Sequence, residues 1–268
     1  MGSALDTISG FVTAPGSTFT PWTLGLGDSL QIRNANPAKR TLLVELWAYN
    51  QGAGTLRVRS PKLHDNVQGI RANVVPNQAD FWLGYPVNQI LYPQDILIAE
   101  QSGSSTAGNI ESGGILVYYE DLPGVAGRFV APADIQKRGV NVVNVELALT
   151  PGAAGGYSGQ LALNAQFDLL QANTDYACIG YVCSARAATV TLRGPDTGNL
   201  RCSGPAEPGK KDQTCQWFWM LSNWTGIPLC PVINSANKAG TFTDCVQNQA
   251  GTAVTVNWIF VQLAPATS

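Results

Sequence analysis

A seven-residue pattern occurs twice in this chain, 134 positions apart: Thr55-Leu56-Arg57-Val58-Arg59-Ser60-Pro61 and Thr189-Val190-Thr191-Leu192-Arg193-Gly194-Pro195. A polar loop containing Gly or Asn follows each copy. An aromatic cluster comes next, Phe81-Trp82 in the first half and Trp217-Phe218-Trp219 in the second. Each half then closes on a β-type run, Ile115 to Pro123 and Val256 to Leu263, at an offset of 141. Order is kept while one loop region has grown. Two copies of one domain are the economical reading, and it binds the rest: whatever fold one half adopts, the other must adopt too.

Period-two alternation sets the fold class. Leu42 to Tyr49 and Leu56 to Arg59 read as strands joined by the Gly-containing loop Asn50 to Gly54, a hairpin. Asp95 to Glu100 and Gly114 to Glu120 read as another antiparallel pair across a Ser/Gly-rich connection, Gln101 to Gly113. In the second half Val140 to Leu147, Ser158 to Asp168, Tyr176 to Cys183, Ala188 to Leu192, Gln216 to Leu221 and Ala253 to Gln262 carry the same signature. No segment keeps an i, i+3, i+4, i+7 apolar pattern, so helix is expected only in short turns such as Pro132 to Lys137. Gly124 to Gly139 is the best linker. The predicted architecture is all-β, two tandem eight-stranded sandwiches over 1–130 and 131–268, each of jelly-roll size. An immunoglobulin-like domain is nearer ~100 residues, and its Cys, Trp, Cys signature is absent.

Composition narrows the function. Hydrophobic residues make up 45% of the 268, which excludes a disordered chain. No run approaches the ~18 apolar residues of a membrane-spanning helix. Charged residues are 13%, about half the usual share, beside seven Trp, eight Tyr and eight Phe. Surfaces destined to be covered by neighbours have this character; an ordinary secreted β protein with a Ser, Thr, Asn and Gln exterior is the alternative. A net charge of −2 excludes a strongly basic nucleic-acid binder. The N-terminus, Met1 to Asp6, has no basic region or apolar core of a signal peptide, so the expectation is either a leader already removed or use without export.

All six cysteines lie in the second half: Cys178, Cys183, Cys202, Cys215, Cys230 and Cys245. Fifteen pairings are open. On an extended strand Cys178 and Cys183 would stand about 16 Å apart on opposite faces, too far to bridge. Cys202 and Cys215 bracket a Pro/Gly segment whose closure would contribute ~3 kcal/mol, and Cys230 and Cys245 flank Pro231 to Asp244. Free buried thiols are the alternative. Zinc is disfavoured without a Cys-x-x-Cys pair.

Catalysis finds little footing, and no enzyme or cofactor is expected. The lone histidine, His64, sits in the polar stretch Lys62 to Asn66. Gly-x-Ser-x-Gly and phosphate-cradling glycine loops are absent. Glu120-Asp121 is the most conspicuous carboxylate pair, but adjacent strand residues point to opposite faces and cannot easily flank one glycosidic bond. Trp217, Trp219 and Trp224, with Trp82, Tyr85 and Tyr92, offer either a sugar-binding face or a covered interface. Strand alternation puts apolar residues on both faces of 216–221, which favours the interface.

A tandem pair of β-sandwiches, short of charge, with twin Arg-x-Pro turns at Arg59-Ser60-Pro61 and Arg193-Gly194-Pro195, twin aromatic segments and twin closing strands, resembles the double jelly-roll major capsid proteins of tailless icosahedral viruses, among them bacteriophages with an internal membrane. The resemblance covers nearly the whole chain. It implies a homotrimer whose six rolls form a pseudo-hexagonal capsomer. It also implies an icosahedral virion shell assembled in the host cytoplasm, with neighbouring capsomers, penton and minor capsid proteins and an internal lipid membrane as partners. Under it, Trp82, Tyr85, Trp217, Trp219 and Trp224 are interface residues and Ala4 to Pro21 and Ala264 to Ser268 are arms; the cysteines depart from the family pattern and imply either disulfides formed after cell lysis or an unusually cross-linked shell. The competing expectation is a secreted carbohydrate- or cell-surface-binding module.

Overall fold

The computed structural model describes residues 2–34, 36–63, 67–82, 89–249 and 251–265, with the backbone alone at Trp82. Its first half supplies β1 (Gly2–Thr13), β2 (Thr20–Pro21), β3 (Thr23–Leu24), β4 (Thr41–Asn50), β5 (Gly54–Arg59), β6 (Ile70–Val74), β7 (Gln78–Trp82), β8 (Gln89–Ile90), β9 (Ile98–Ser102) and β10 (Ile110–Leu122). After β11 (Phe129–Val130) and α1 (Pro132–Arg138) come β12 (Gly139–Leu149), β13 (Tyr157–Ala162), β14 (Asp175–Cys183), β15 (Ala187–Arg193) and β16 (Cys202–Ala206). The chain ends with α2 (Lys211–Thr214), α3 (Trp217–Thr225), β17 (Cys230–Asn234), β18 (Phe242–Val246) and β19 (Val254–Leu263).

The strand order is the same in both halves. In the first, β1-β10-β4-β7 form one sheet, extended by β3 beside β1, and β2-β9-β5-β6 form the other. In the second, β12-β19-β14-β17 form one sheet, extended by β11, and β13-β18-β15-β16 the other. Counting the eight principal strands of each half in chain order, both give 1-8-3-6 facing 2-7-4-5. That is the jelly-roll arrangement of two interlocked Greek keys, so the chain is a double jelly roll. The repeated sequence pattern falls on the fourth strand of each roll, β5 and β15, and the closing runs are the eighth, β10 and β19.

Register extends the equivalence to side chains. Arg57 lies opposite Glu100 and Arg71; Thr191 lies opposite Asp244 and Ser203. An acid therefore holds the same place in both rolls, faced by arginine in one and by threonine in the other.

The jelly-roll crossing corrects two expected hairpins. β4 and β5 belong to different sheets, and so do β9 and β10. Each connection steps from one face of the sandwich to the other, which alternation cannot distinguish from a turn within a sheet. The expected N-terminal arm is also corrected. Its first ten residues, Ala4 to Thr13, belong to β1, which pairs with β10 from end to end.

Gln216 to Leu221 is not a strand. Trp217, Phe218, Leu221 and Ser222 are the buried residues of α3, the i, i+1, i+4, i+5 spacing of a helix side. Gly226, at φ 69°, ends it in the left-handed conformation with its N–H on the Ser222 carbonyl. The aromatic clusters are thus not equivalent: Phe81-Trp82 lies on β7, while 217–219 lies in an insertion between the fifth and sixth strands of the second roll. This connection is 207–229 there but only 75–77 in the first roll. Part of the growth is taken back between the sixth and seventh strands, 235–241 against 83–97.

All six cysteines are free thiols, which corrects the disulfide expectation. The segment between Cys202 and Cys215 is not a loop but the rest of β16, a 3-10 turn and α2. Cys230 and Cys245 stand on strands of opposite sheets, β17 and β18. Cys178, Cys202, Cys230 and Cys245 are fully buried, and burial pushes the Cys230 and Cys245 thiols up to about 12. A thiol reacts as its thiolate. A colorimetric thiol assay is therefore expected to find at most two reactive groups in the native protein and all six in denaturant; native reactivity at four or more would contradict this packing.

Candidate assembly surface

The four sheets form four layers. In the first roll, Ala4, Ile8, Leu43, Ala48, Ile115 and Val117 pack against Leu56, Val58, Ala72, Val74 and Ala99 of the facing sheet. The other side of the β1-β10-β4-β7 sheet is also apolar: Leu5, Leu42, Val44, Trp47, Leu116 and Tyr118 join the core cluster of the second roll. There β1, β4 and β10 meet β15 and β16. The 1-8-3-6 sheet of roll one thus lies on the 2-7-4-5 sheet of roll two, a heterologous contact within one chain.

That seam is closed by directed bonds. The indole N–H of Trp47 donates to the Ala188 carbonyl at 2.6 Å, the Thr7 hydroxyl to the Arg201 carbonyl at 2.9 Å and the Asn248 amide to the Tyr49 carbonyl at 2.8 Å. A Cβ on Gly114 would stand 2.2 Å from the Trp47 ring, so glycine makes room for the indole. The 207–229 insertion grips the first roll from the side. Trp217 is wholly buried between Trp47, 6.2 Å away edge-on, and Phe81, 5.2 Å away edge-on. Glu207 accepts from the Ala79 N–H at 2.9 Å while held by Arg186, and Lys210 pairs with Asp80 above the Phe81 ring.

At one end the seam is ionic. Asp28 accepts from the Ser9 N–H and hydroxyl and pairs with Arg201 at 2.8 Å, whose guanidinium lies 3.8 Å over the Tyr157 ring. Its carboxyl is pushed up to about 6, burial being the main cause. Burial raises Asp6 and Asp244 too.

Stacking this way leaves the 2-7-4-5 face of roll one open and, along β12 and β19, part of the 1-8-3-6 face of roll two; α2 and α3 cover the β14 and β17 part. On the outermost sheet of roll two, Val145, Leu147 and Leu149 of β12 point inward, while Val140 and Val142 stand 55% and 66% exposed. Val142 is in register with Val261, and the outward side of β12 and β19 carries these valines and Ile259 beside Asn144, Asn257 and Thr255, with Glu146 the one charged residue of β12 on it; β14 and β17 of the same sheet are covered by α2 and α3 and bury Ala177 completely. At the opposite end of the molecule, the β2-β9-β5-β6 sheet shows Thr55, Arg57, Arg59, Arg71 and Asn73. Arg57 and Arg59 both pair with Glu100, and the Arg59 bond foremost holds that carboxyl below its ordinary range.

The expected site residues do not gather. Trp217 is inside the seam of its own chain; Trp219 is half-buried and Trp224 41% exposed at the far end of α3, so the three do not share one solvent face. The side chain of Trp82, all of Tyr85 and His64 lie outside the described residues. Glu120 is taken by Arg40. Among the described residues, no group of three or more His, Cys, Asp or Glu could hold a metal ion. The seam cluster of Asp6, Asp28, Arg33 and Arg201 carries no motif; only the mirrored placement of Arg59 and Arg193 hinted at that end of β15.

No family model and no curated protein matches the chain. Among solved structures, the PBSX exported protein XepA aligns over 96% of this chain and 86% of its own at 10% identity, TM-score 0.25. The major capsid protein P2 from bacteriophage PM2 aligns over 99% and 100% at 7% identity, TM-score 0.22. A structure of Sulfolobus Turreted Icosahedral Virus aligns over 99% and 92% at 9% identity, TM-score 0.23. The fold therefore rests on the strand order itself.

Proposed function

We propose that this chain is a structural shell protein of the major capsid kind. Three copies close a ring of six rolls, and rings tile an icosahedral virion with neighbouring capsomers and minor components. The chain divides into its two rolls near residue 130, 1–130 and 131–268, with β11 (Phe129–Val130) already pairing with β17 of the second roll. One observation carries the reading: the 1-8-3-6 face of roll one is already covered by the 2-7-4-5 face of roll two, so each chain ends in an unused 2-7-4-5 face and, along β12 and β19, an unused part of a 1-8-3-6 face. A heterologous contact repeated between copies closes a ring or runs on as a filament. The exposed Val140 and Val142 and the low charge of the whole chain support covering of the fourth layer, at roughly 25 cal/mol per Å² of apolar area before association costs.

Blocking one end at a time tests it. Val142→Glu places a charge on the fourth-layer face; Asn73→Arg places bulk and charge on the first-layer face. Both positions are exposed in the single chain, so both variants should fold. Light scattering is expected to give trimers for the native chain and monomers for each variant, with association at least 100-fold weaker, since an unpaired buried charge costs several kcal/mol. An equimolar mixture of the variants retains one good interface and should give heterodimers. A native chain that stays monomeric at high concentration and is retained on a polysaccharide column would replace this reading with the carbohydrate-binding one.

A further inference from the structure

The ionic end of the seam contains a crevice of about 220 Å³ with three guanidinium groups on its walls: Arg33 from the first roll, Arg193 and Arg201 from the second, with Asn199 and Asp6 beside them. Two of the three are accounted for. Arg33 pairs with Asp6 at 3.4 Å and Arg201 with Asp28 at 2.8 Å. Arg193 forms no ion pair: among the described residues no carboxylate lies within 4 Å of it, its charge reaches the buried Asp244 only at longer range, and its side chain's one hydrogen bond is to Gln160 Oε1 at 3.4 Å. The Nε–H groups of Arg193 and Arg201 are both buried without an acceptor. Against these three guanidinium groups the crevice sets one carboxylate, Asp6, and that imbalance calls for an acceptor with several oxygens and negative charge.

We infer that this crevice binds a phosphate-class oxyanion, which bridges Arg33 of one roll to Arg193 and Arg201 of the other. Guanidinium forks match tetrahedral oxyanions geometrically. Asp6 is the one carboxylate on the crevice, and its charge is matched by Arg33. Register explains why the second roll, and not the first, leaves this arginine without an ion pair. Arg59, the counterpart of Arg193, is bound to Glu100. Asp244, the counterpart of Glu100, is taken by the Thr191 hydroxyl. The inference is independent of the shell reading, since it needs only the single chain.

The test is thermal unfolding of the native chain at fixed ionic strength, with sodium chloride replaced stepwise by inorganic phosphate and, in a second arm, by glycerol phosphate. Expected is a saturable rise in melting temperature with phosphate, and binding at least tenfold weaker in Arg193→Gln. Saturation by glycerol phosphate as well would mark a site open to phosphomonoester headgroups; saturation by inorganic phosphate alone would mark a site for the free ion. Phosphate also stabilises proteins non-specifically, but that effect is the same in both proteins. Phosphorus NMR line broadening on the native chain gives a second readout if Arg193→Gln folds poorly. An equal melting shift in native and variant chains, or no broadening beyond that in chloride-matched denatured protein, would overturn the inference.

Discussion

Trp217→Ala is expected to cost about 3–5 kcal/mol, the usual range for removing a fully buried tryptophan, and to lower the melting temperature on the order of 10 °C. The size follows from what the indole touches. It fills the space between Trp47 and Phe81 of roll one, donates to the Ser203 carbonyl at 3.1 Å, and lies over Gly204, where a Cβ would be 2.6 Å from its nitrogen. Two of these neighbours belong to the other roll, so the cavity opens at the seam rather than inside one sandwich. The variant should therefore lose cooperativity as well as stability, melting in two steps where the native chain melts in one. Trp224→Ala, on the same helix but exposed, is the comparison and should stay within about 0.5 kcal/mol. Calorimetry showing the two variants alike would remove Trp217 from the seam.

How much of this was legible in the sequence depended on whether the signal was local. The fourth and eighth strands of each roll were visible because β-branched alternation and a following Pro are properties of a few adjacent residues. So was α1, where Pro132 opens the first turn. The destination of a connection was not legible. Asn50 to Gly54 has the composition of a hairpin loop, and nothing local says that β5 pairs with β9 and β6 instead of β4. Trp217-Phe218-Trp219-Met220 is apolar at every position, so period two and period 3.6 fit equally well; length and the Gly226 stop were the cues that decide for a helix. The 207–229 insertion was masked by the shorter 235–241 connection, which left only a small net change in offset. The ionic seam was invisible for a further reason. Its members come from five separate segments, and only folding shows that Asp6, Asp28 and Asp244 share a buried environment.

That environment yields the second large effect, and its sign is unusual. A carboxylate that is stabilised on folding loses its contribution as pH falls; Asp28 does the reverse. Its folded value, about 6, lies above its ordinary 3.8 because burial opposes the charge more than Arg201 and Ser9 favour it. Between those two values the folded chain binds more protons than the unfolded one, so folding is favoured at lower pH and that advantage is lost as pH rises through 6. At about 1.4 kcal/mol per unit, the change between pH 7.5 and pH 4 is on the order of 3 kcal/mol, with Asp6 and Asp244 acting in the same direction. Glu100, Glu120 and Asp175, all lowered by arginine partners or hydrogen bonds, oppose it, but only once pH falls towards their own reduced values. Urea unfolding should therefore show stability rising from pH 7.5 to about pH 5 before acid denaturation sets in. The measurement belongs in a His64→Gln background, because histidine titrates near 6.5. Adding Asp28→Asn should flatten the rise whatever it does to absolute stability, since asparagine keeps an acceptor for Ser9 but cannot take up the proton. Parallel pH profiles for the two proteins, or a stability that falls steadily from pH 7.5, would show that the seam holds Asp28 as an ordinary ion pair.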